Sequence, residues 1–212
     1  MINNFKDYEN LFMEINKLAK IKLNIYLIGG AVLLYRNLKF STKDIDVVLI
    51  SNKEYNELYR ILKKLNFKQG VKKIGYKNFN LTNILKKDKL KIDIFLNEVC
   101  SKFSFSNEMV KRAEKILNFD KVKVYLSSNE DVFAFKTMTN REGDLEDCVA
   151  LAKRKLDWDI ILKEIKNQIN LSGENIWITW INERLELLIE KGVVVPIIKE
   201  TNKLTIAYYN KI

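Results

Sequence analysis

The chain has 212 residues, a formal charge of +10 from 37 Lys and Arg against 27 Asp and Glu, and no histidine. Without histidine there is no Ser-His-Asp or Cys-His nucleophilic catalysis, no histidine-ligated zinc and no histidine phosphohydrolase chemistry, so carboxylate-plus-metal chemistry remains. Cys100 and Cys148 lack metal-ligand spacing and are too few to staple a secreted domain; with no signal-like N-terminus and no apolar run of membrane-spanning length, the sequence predicts a soluble cytoplasmic protein that makes no use of a membrane.

In chain order, residues 4–20 space Phe5, Tyr8, Phe12, Ile15 and Ala19 at threes and fours, the stripe of a helix packed on a core. Residues 25–28 form a short apolar, partly β-branched run that reads as a buried strand, ended by Gly29-Gly30 before a short helix over 31–38. Two glycines there leave backbone N–H groups bare at a helix start, where an anion can sit. After a turn at Phe40-Ser41-Thr42-Lys43, a second strand opens with Asp44-Ile45-Asp46. Side chains alternate along a strand, so Asp44 and Asp46 share one face. Paired carboxylates repel unless a cation lies between them, and a hard divalent ion, magnesium above all, is the natural occupant.

A helix over 53–65 follows, with Tyr55, Leu58, Leu62 and Leu65 in line, and then strand-like segments at 67–71, 74–79, 80–85 and 90–96. The turn at 86–89 joins the last two as a hairpin and delivers a third acid, Asp93, in Lys91-Ile92-Asp93-Ile94-Phe95. An unpaired charge within a buried strand is costly, so Asp93 needs a partner. The window 60–91 holds 11 basic residues and one acid, Asp88, interleaved with Phe67, Tyr76 and Phe79. It reads either as a solvated lysine surface or as a basic groove for a polynucleotide beside the metal site.

A short helix over 108–113 and a strand pair over 115–119 and 122–126 precede Ser128, an N-cap to a helix over 130–138. Within that helix Lys136 sits in an apolar setting, where its ammonium requires an anionic partner, either a protein carboxylate or a phosphate. In the next helix Leu145, Cys148 or Val149, Ala152 and Leu156 form the core stripe; Asp144 borders it and Asp147 is placed further toward solvent. Helices over 158–170 and 174–191 follow, the latter stopped at Gly192, and 193–199 with 204–209 read as a closing strand pair. The fold class is thus α+β: a mixed sheet flanked by helices over 1–128, then a mostly helical region over 129–212.

Gly-Gly, thirteen residues, Asp-x-Asp and a distant hydrophobic-Asp-hydrophobic strand resemble the DNA polymerase beta superfamily of nucleotidyltransferases. The resemblance implies a catalytic domain over 1–128 that transfers a nucleoside monophosphate from a nucleoside triphosphate such as ATP. Two magnesium ions, or manganese, would lie on Asp44, Asp46 and Asp93, with Asp93 placed to accept the acceptor's proton. Gly29 and Gly30, with Ser41, Thr42 and Lys43 of the following turn, are the candidate triphosphate contacts. Downstream, Lys136 followed by Arg141-x-x-Asp144-x-x-Asp147 looks like the AbiE-type abortive-infection nucleotidyltransferase toxins. By that resemblance Lys136 and Arg141 contact the triphosphate, Asp144 or Asp147 assists catalysis, and a cognate antitoxin protein is a partner. A buried Lys-Asp ion pair locking two helices is the structural alternative for Lys136.

One departure is that Gly29-Gly30 runs on into Ala31-Val32-Leu33-Leu34, without the Arg-Asp pair of tRNA CCA-adding enzymes and poly(A) polymerases. The lysine window points to RNA as acceptor, with the 3′ end of tRNA foremost. Two rival readings are a non-catalytic nucleotide- or RNA-binding module or toxin-antitoxin partner of the same fold, and an enzyme modifying a small molecule such as an aminoglycoside. The basic window disfavours the second, because a cationic drug calls for an acidic groove.

Overall fold

A computed structural model describes residues 5–71, 79–173 and 175–211. The elements in chain order are α1 (Lys6–Leu18), β1 (Leu23–Ile28), α2 (Gly30–Tyr35), β2 (Ile45–Leu49), α3 (Asn52–Lys64), β3 (Lys68–Gln69), β4 (Phe79–Lys87), β5 (Leu90–Cys100), β6 (Phe103–Ser104), α4 (Asn107–Arg112), β7 (Glu114–Asn118), β8 (Val122–Leu126), α5 (Asn129–Thr137), α6 (Glu142–Ala152), α7 (Trp158–Ser172), α8 (Trp177–Glu190) and α9 (Ile198–Tyr209). They fall into two units: Met1–Val99 with Phe105–Ser128, and Cys100–Ser104 with Asn129–Ile212.

The first unit is a mixed sheet in the order β3-β4-β5-β2-β1-β8-β7. β1 pairs antiparallel with β2 and parallel with β8, and β2 pairs parallel with β5. The central strands are near-continuous apolar runs because both faces are covered: Leu23, Ile25, Leu27, Ile45, Val47, Val48, Leu49, Val122 and Val124 are all buried. Helices α1 and α3 pack together and are pinned to the sheet by side chains that satisfy its open backbone groups. Asn16 Oδ1 accepts from the amides of Lys121 and Val122 at 2.9 and 3.2 Å, and Glu54 Oε1 accepts from the Asn24 amide at 2.9 Å. Glu57 takes the Lys20 amide at 2.5 Å, while its partner Arg60 donates to the Leu18 carbonyl at 2.9 Å. This ties the end of α1 to α3.

Three helices end on the same device, a left-handed residue that turns the chain back on the last carbonyls. In α2 it is Asn37 (φ 55), with Leu38 N–H donating to Leu33 O at 2.8 Å, which stops the helix short of the expected residue 38. In α3 it is Asn66 (φ 66), with Phe67 N–H donating to Leu62 O at 3.0 Å, so the aromatic expected to open a strand instead plugs the helix end and is buried. In α8 it is Gly192 (φ 81), with Val193 N–H donating to Leu188 O at 3.0 Å.

The second unit is helical apart from β6. Phe103 of β6 meets Phe135 and Trp177 edge-on, and Gln168 of α7 brackets Ser104, accepting from its amide at 3.0 Å and donating to its carbonyl at 2.8 Å. Two expectations change. The expected strand at 204–209 and the end of that at 193–199 are replaced by α9, while 193–197 form no regular element; Val195 and Ile197 are buried ahead of the helix and Thr201 within it. Pro196, with φ preset near the helical value, leads the chain into that helix. The expected strand at 74–79 lies outside the described residues except for Phe79, where β4 begins.

The start of α3 offers a direct stability test. Ser51 Oγ caps the helix by accepting from the Glu54 amide at 3.2 Å, and its hydroxyl donates to Glu54 Oε2 at 2.9 Å. Ser51→Ala is expected to lower unfolding free energy by about 1 kcal/mol in urea denaturation; a change within error would mean that Glu54 holds the helix start alone.

Candidate active site

The Gly-Gly turn is built around side chains of the strand beside it. Gly29 has φ 63 and ψ −138, backbone that L side chains rarely adopt, and a Cβ there would stand 2.5 Å from Asp46 Oδ2. A Cβ on Gly30 would stand 2.4 Å from Thr42 Oγ1. Thr42 is buried and donates to the Asp44 carbonyl at 3.2 Å, which braces the turn before β2. Ser41 is partly exposed and Lys43 exposed. The glycines therefore clear space for the acid-bearing strand to approach the start of α2.

Strand register brings the acids together. β1, β2 and β5 align Ile28 with Asp46 and Asp46 with Asp93, so the two acids are lateral neighbours on one face. Asp93 is 0% exposed. Lys91, two residues back on the same face of β5, places Nζ 2.6 Å from Asp93 Oδ2 and 3.0 Å from Asp44 Oδ2. Asp93 Oδ1 is buried without a hydrogen-bond partner. Burial raises the Asp93 pKa; Lys91 and Lys86 oppose the rise and Asp44 adds to it, and the outcome stays above the ordinary carboxylate value.

The donor set suits a divalent cation, since it consists of hard carboxylate oxygens, one of them an orphaned buried acceptor, and two of the acids already share a cation. That cation is the Lys91 ammonium. Among the described residues no three His, Cys, Asp or Glu side chains stand close enough to form a ready-made metal cluster. Asp44, Asp46 and Asp93 are the residues that would hold the ion.

One further group, Lys91, belongs to this site, and a second, Tyr8, lies within reach of its charges, although the sequence did not single them out. Lys91 was legible, because the alternation that locates Asp93 puts residue 91 on the same face. Tyr8 of α1 shows in the sequence only as part of a core stripe. It is buried, its hydroxyl has no hydrogen-bond partner, and burial followed by the charges of Asp46 and Asp44 raises its pKa.

In the second unit, Lys136 is 6% exposed and its ammonium donates to Asp144 Oδ1 at 2.7 Å and Asp147 Oδ2 at 2.6 Å. Asp144 Oδ2 in turn accepts from Thr139 Oγ1 at 2.7 Å and Arg141 Nε at 2.5 Å, while Arg184 donates to the Thr139 carbonyl. Asp147, expected toward solvent, is buried because Lys136 draws it in. Burial alone would lower the Lys136 pKa, but the two carboxylates hold it above its usual value. The lysine, the arginine and both acids of the downstream motif thus form one network joining α5 to α6.

This network has a pH signature. Burial favours the neutral form of Asp144, but Lys136 and Arg141 outweigh it and bring the pKa from 3.8 to about 2. A carboxylate depressed on folding contributes stability that is complete above its unfolded pKa and lost as pH falls through the folded one. Asp144→Asn is expected to lower stability at pH 7 by about 1.5–3 kcal/mol, and the gap to the wild type should close between pH 4 and pH 2 when urea denaturation is repeated along a pH series. A gap that persists at pH 2 would assign the loss to packing.

No curated protein is detectably similar in sequence. The solved structure of ANT(2″)-Ia in complex with adenylyl-2″-tobramycin shares the fold at 11% identity and a TM-score of 0.50, over 76% of this chain and 96% of that one. Proteins assigned as nucleotidyltransferases from Thermotoga maritima and H. pylori match at TM-scores of 0.41, each at 16% identity, over 63% and 93% of this chain and 83% and 96% of theirs. Residues 6–179 match the family model described as "Nucleotidyltransferase of unknown function (DUF6036)", and the chain belongs to that nucleotidyltransferase family.

Proposed function

We propose that this nucleotidyltransferase moves a nucleoside monophosphate from a nucleoside triphosphate to an RNA acceptor, with a divalent ion held by Asp44, Asp46 and Asp93. The observation that carries the proposal is the in-register pairing of Asp46 with Asp93 beside a Gly-Gly turn shaped around Asp46. Magnesium or manganese bound there would polarise the phosphoryl oxygens and stabilise the charge on the leaving pyrophosphate. The chain's own residues do the rest. The Gly29-Gly30 turn, with Ser41, Thr42 and Lys43, faces the β- and γ-phosphates. An acceptor hydroxyl attacks the α-phosphorus, the bond from that phosphorus to the bridging oxygen breaks, and pyrophosphate departs. The hydroxyl proton passes to a carboxylate of the set, for which Asp93, with its raised pKa, is the best matched.

RNA is favoured as acceptor because the basic window adjoins the acids. Lys68 and Lys86 are register partners across β3 and β4, both exposed, and Lys86 is close enough to pull down the pKa of Asp93. Lys72 and Lys73 of the same window lie outside the described residues. For Lys136, Arg141 and Asp144 the network favours the structural role, in which the ammonium anchors α5 to α6 and the motif acts by holding that scaffold. The likeness of Lys136 and Arg141-x-x-Asp144-x-x-Asp147 to AbiE-type toxins extends the proposal to a toxin countered by a protein antitoxin. Among the described residues no helix is long and apolar enough to cross a membrane.

The test is incubation with each α-labelled nucleoside triphosphate, magnesium, and total cellular RNA and protein. Label is expected in RNA, and label in protein or in small molecules would redirect the acceptor assignment. Asp46→Asn should lower transfer by more than ~100-fold, since even groups that only orient metal ligands are worth 10–100-fold, with the thermal unfolding profile retained.

The acceptor assignment has its own measurement. Binding of tRNA is expected to weaken with salt, and changing Lys86 and Lys87 to Gln should flatten the log-log slope by roughly 0.7 to 0.9 for each phosphate that is no longer neutralised. An unchanged slope would make those lysines a solvated surface.

A further inference from the structure

We propose that Lys91 is the resident counter-cation of the carboxylate site and that it must leave when a divalent ion enters, so that the ion is taken up together with the nucleoside triphosphate. The inference rests on the metal-dependent reading above and concerns a residue to which neither the family pattern nor the fold assigns a role.

The geometry begins with register. β2 and β5 run parallel with Ile45 opposite Ile92, so Asp44, just ahead of β2, falls beside Lys91, just ahead of Ile92. One ammonium thereby reaches both acids, at 3.0 Å to Asp44 Oδ2 and 2.6 Å to Asp93 Oδ2. The lysine side chain is largely enclosed and Asp93 wholly so. Such an ion pair is not a surface accident, because without the ammonium the Asp93 carboxylate would be buried with no charge partner in contact. Compensation is nevertheless incomplete. Asp93 Oδ1, buried in the same site, still lacks a partner. A doubly charged ion would answer that deficit better than the ammonium does.

The two cations compete for the same oxygens. A divalent ion of magnesium's size binds carboxylate oxygens at about 2.1 Å, inside the space the ammonium fills. Lysine carries its charge on a flexible four-carbon stem and can withdraw without any backbone movement. An ammonium that withdraws from a largely enclosed site needs a new anion, and the polyphosphate arriving with the ion is the most highly charged anion the reaction supplies. Displacement by a bare ion takes from Lys91 its contacts with Asp44 and Asp93, whereas an ion that arrives with its triphosphate supplies an anion in their place. By thermodynamic reciprocity, nucleotide should then strengthen ion binding as much as the ion strengthens nucleotide binding.

The test is manganese binding followed by electron paramagnetic resonance, with and without a non-hydrolysable triphosphate analogue. Lys91→Gln is expected to bind free manganese roughly tenfold or more tightly than wild type, the equivalent of one charge-assisted contact that no longer has to be broken, and to lose most of the tightening that the analogue gives the wild type. Lys86→Gln removes the same charge from the neighbourhood of Asp93 without contacting it and should shift affinity much less. Equal affinity in wild type and Lys91→Gln, or an equal gain in Lys86→Gln, would overturn the proposal while leaving the metal reading standing. Manganese binding indifferent to Asp93→Asn in every background would overturn the metal reading itself. Should Lys91→Gln fail to fold, nitrogen-15 spectra of the lysine ammonium groups of the wild type decide: magnesium with analogue should shift the Lys91 signal, and a signal that stays in place refutes displacement.

Discussion

Parallel, in-register pairing of β2 with β5 is the constraint on which the rest of the site depends. It sets Asp46 against Asp93 across the strands and puts Asp44 within range of Lys91. A register slip of one residue in either strand would send its acids to the opposite face and bring Ile45 or Ile92 into their place, at the expense of a core in which both are buried. The apolar packing that stabilises the sheet therefore also fixes the spacing of its charges. The Gly-Gly turn is subordinate to this arrangement: Gly29 and Gly30 lack side chains where Asp46 and Thr42 need the room.

Much of this was legible in the sequence. The alternation of Asp44, Ile45 and Asp46 gives a shared face, the apolar flanks of Asp93 give a buried strand, and the helical stripes of residues 4–20 and 53–65 give the covering layer. Periodicity of this kind is local, and it failed where the deciding partner is distant in sequence. Asp147 reads as solvent-facing from its place on α6, yet Lys136 of another helix holds it inside. The tail from 198 to 209 crowds most of its apolar residues from Leu204 on, without the three-and-four spacing of a helix, and the helix it forms buries Thr201. The Tyr8 hydroxyl could not be foreseen as a polar atom without a partner, because a helical stripe records only that the ring is inside.

Lys91 and Lys136 show one physical solution in two settings. Each is a lysine whose ammonium answers two aspartates in a place where water is largely absent. They differ in how completely the acids are satisfied. Around Lys136, Asp144 also takes Thr139 and Arg141, so the network is closed by several donors at once. Around Lys91, Asp93 keeps one oxygen without a partner. A closed network favours rigidity, while an open one retains affinity for something more.

The turns have a consequence of a different kind. Asn37, Asn66 and Asn97 occupy left-handed backbone at φ 55, 66 and 59, in a chain with only seven glycines. Glycine would relieve local strain at each position, but it would also widen the set of shapes open to the chain before it folds. By turning on asparagine, the protein accepts some tension in its native corners and keeps its unfolded ensemble narrow. Part of its stability therefore belongs to the conformations it gives up on folding, and no contact in the folded molecule records it.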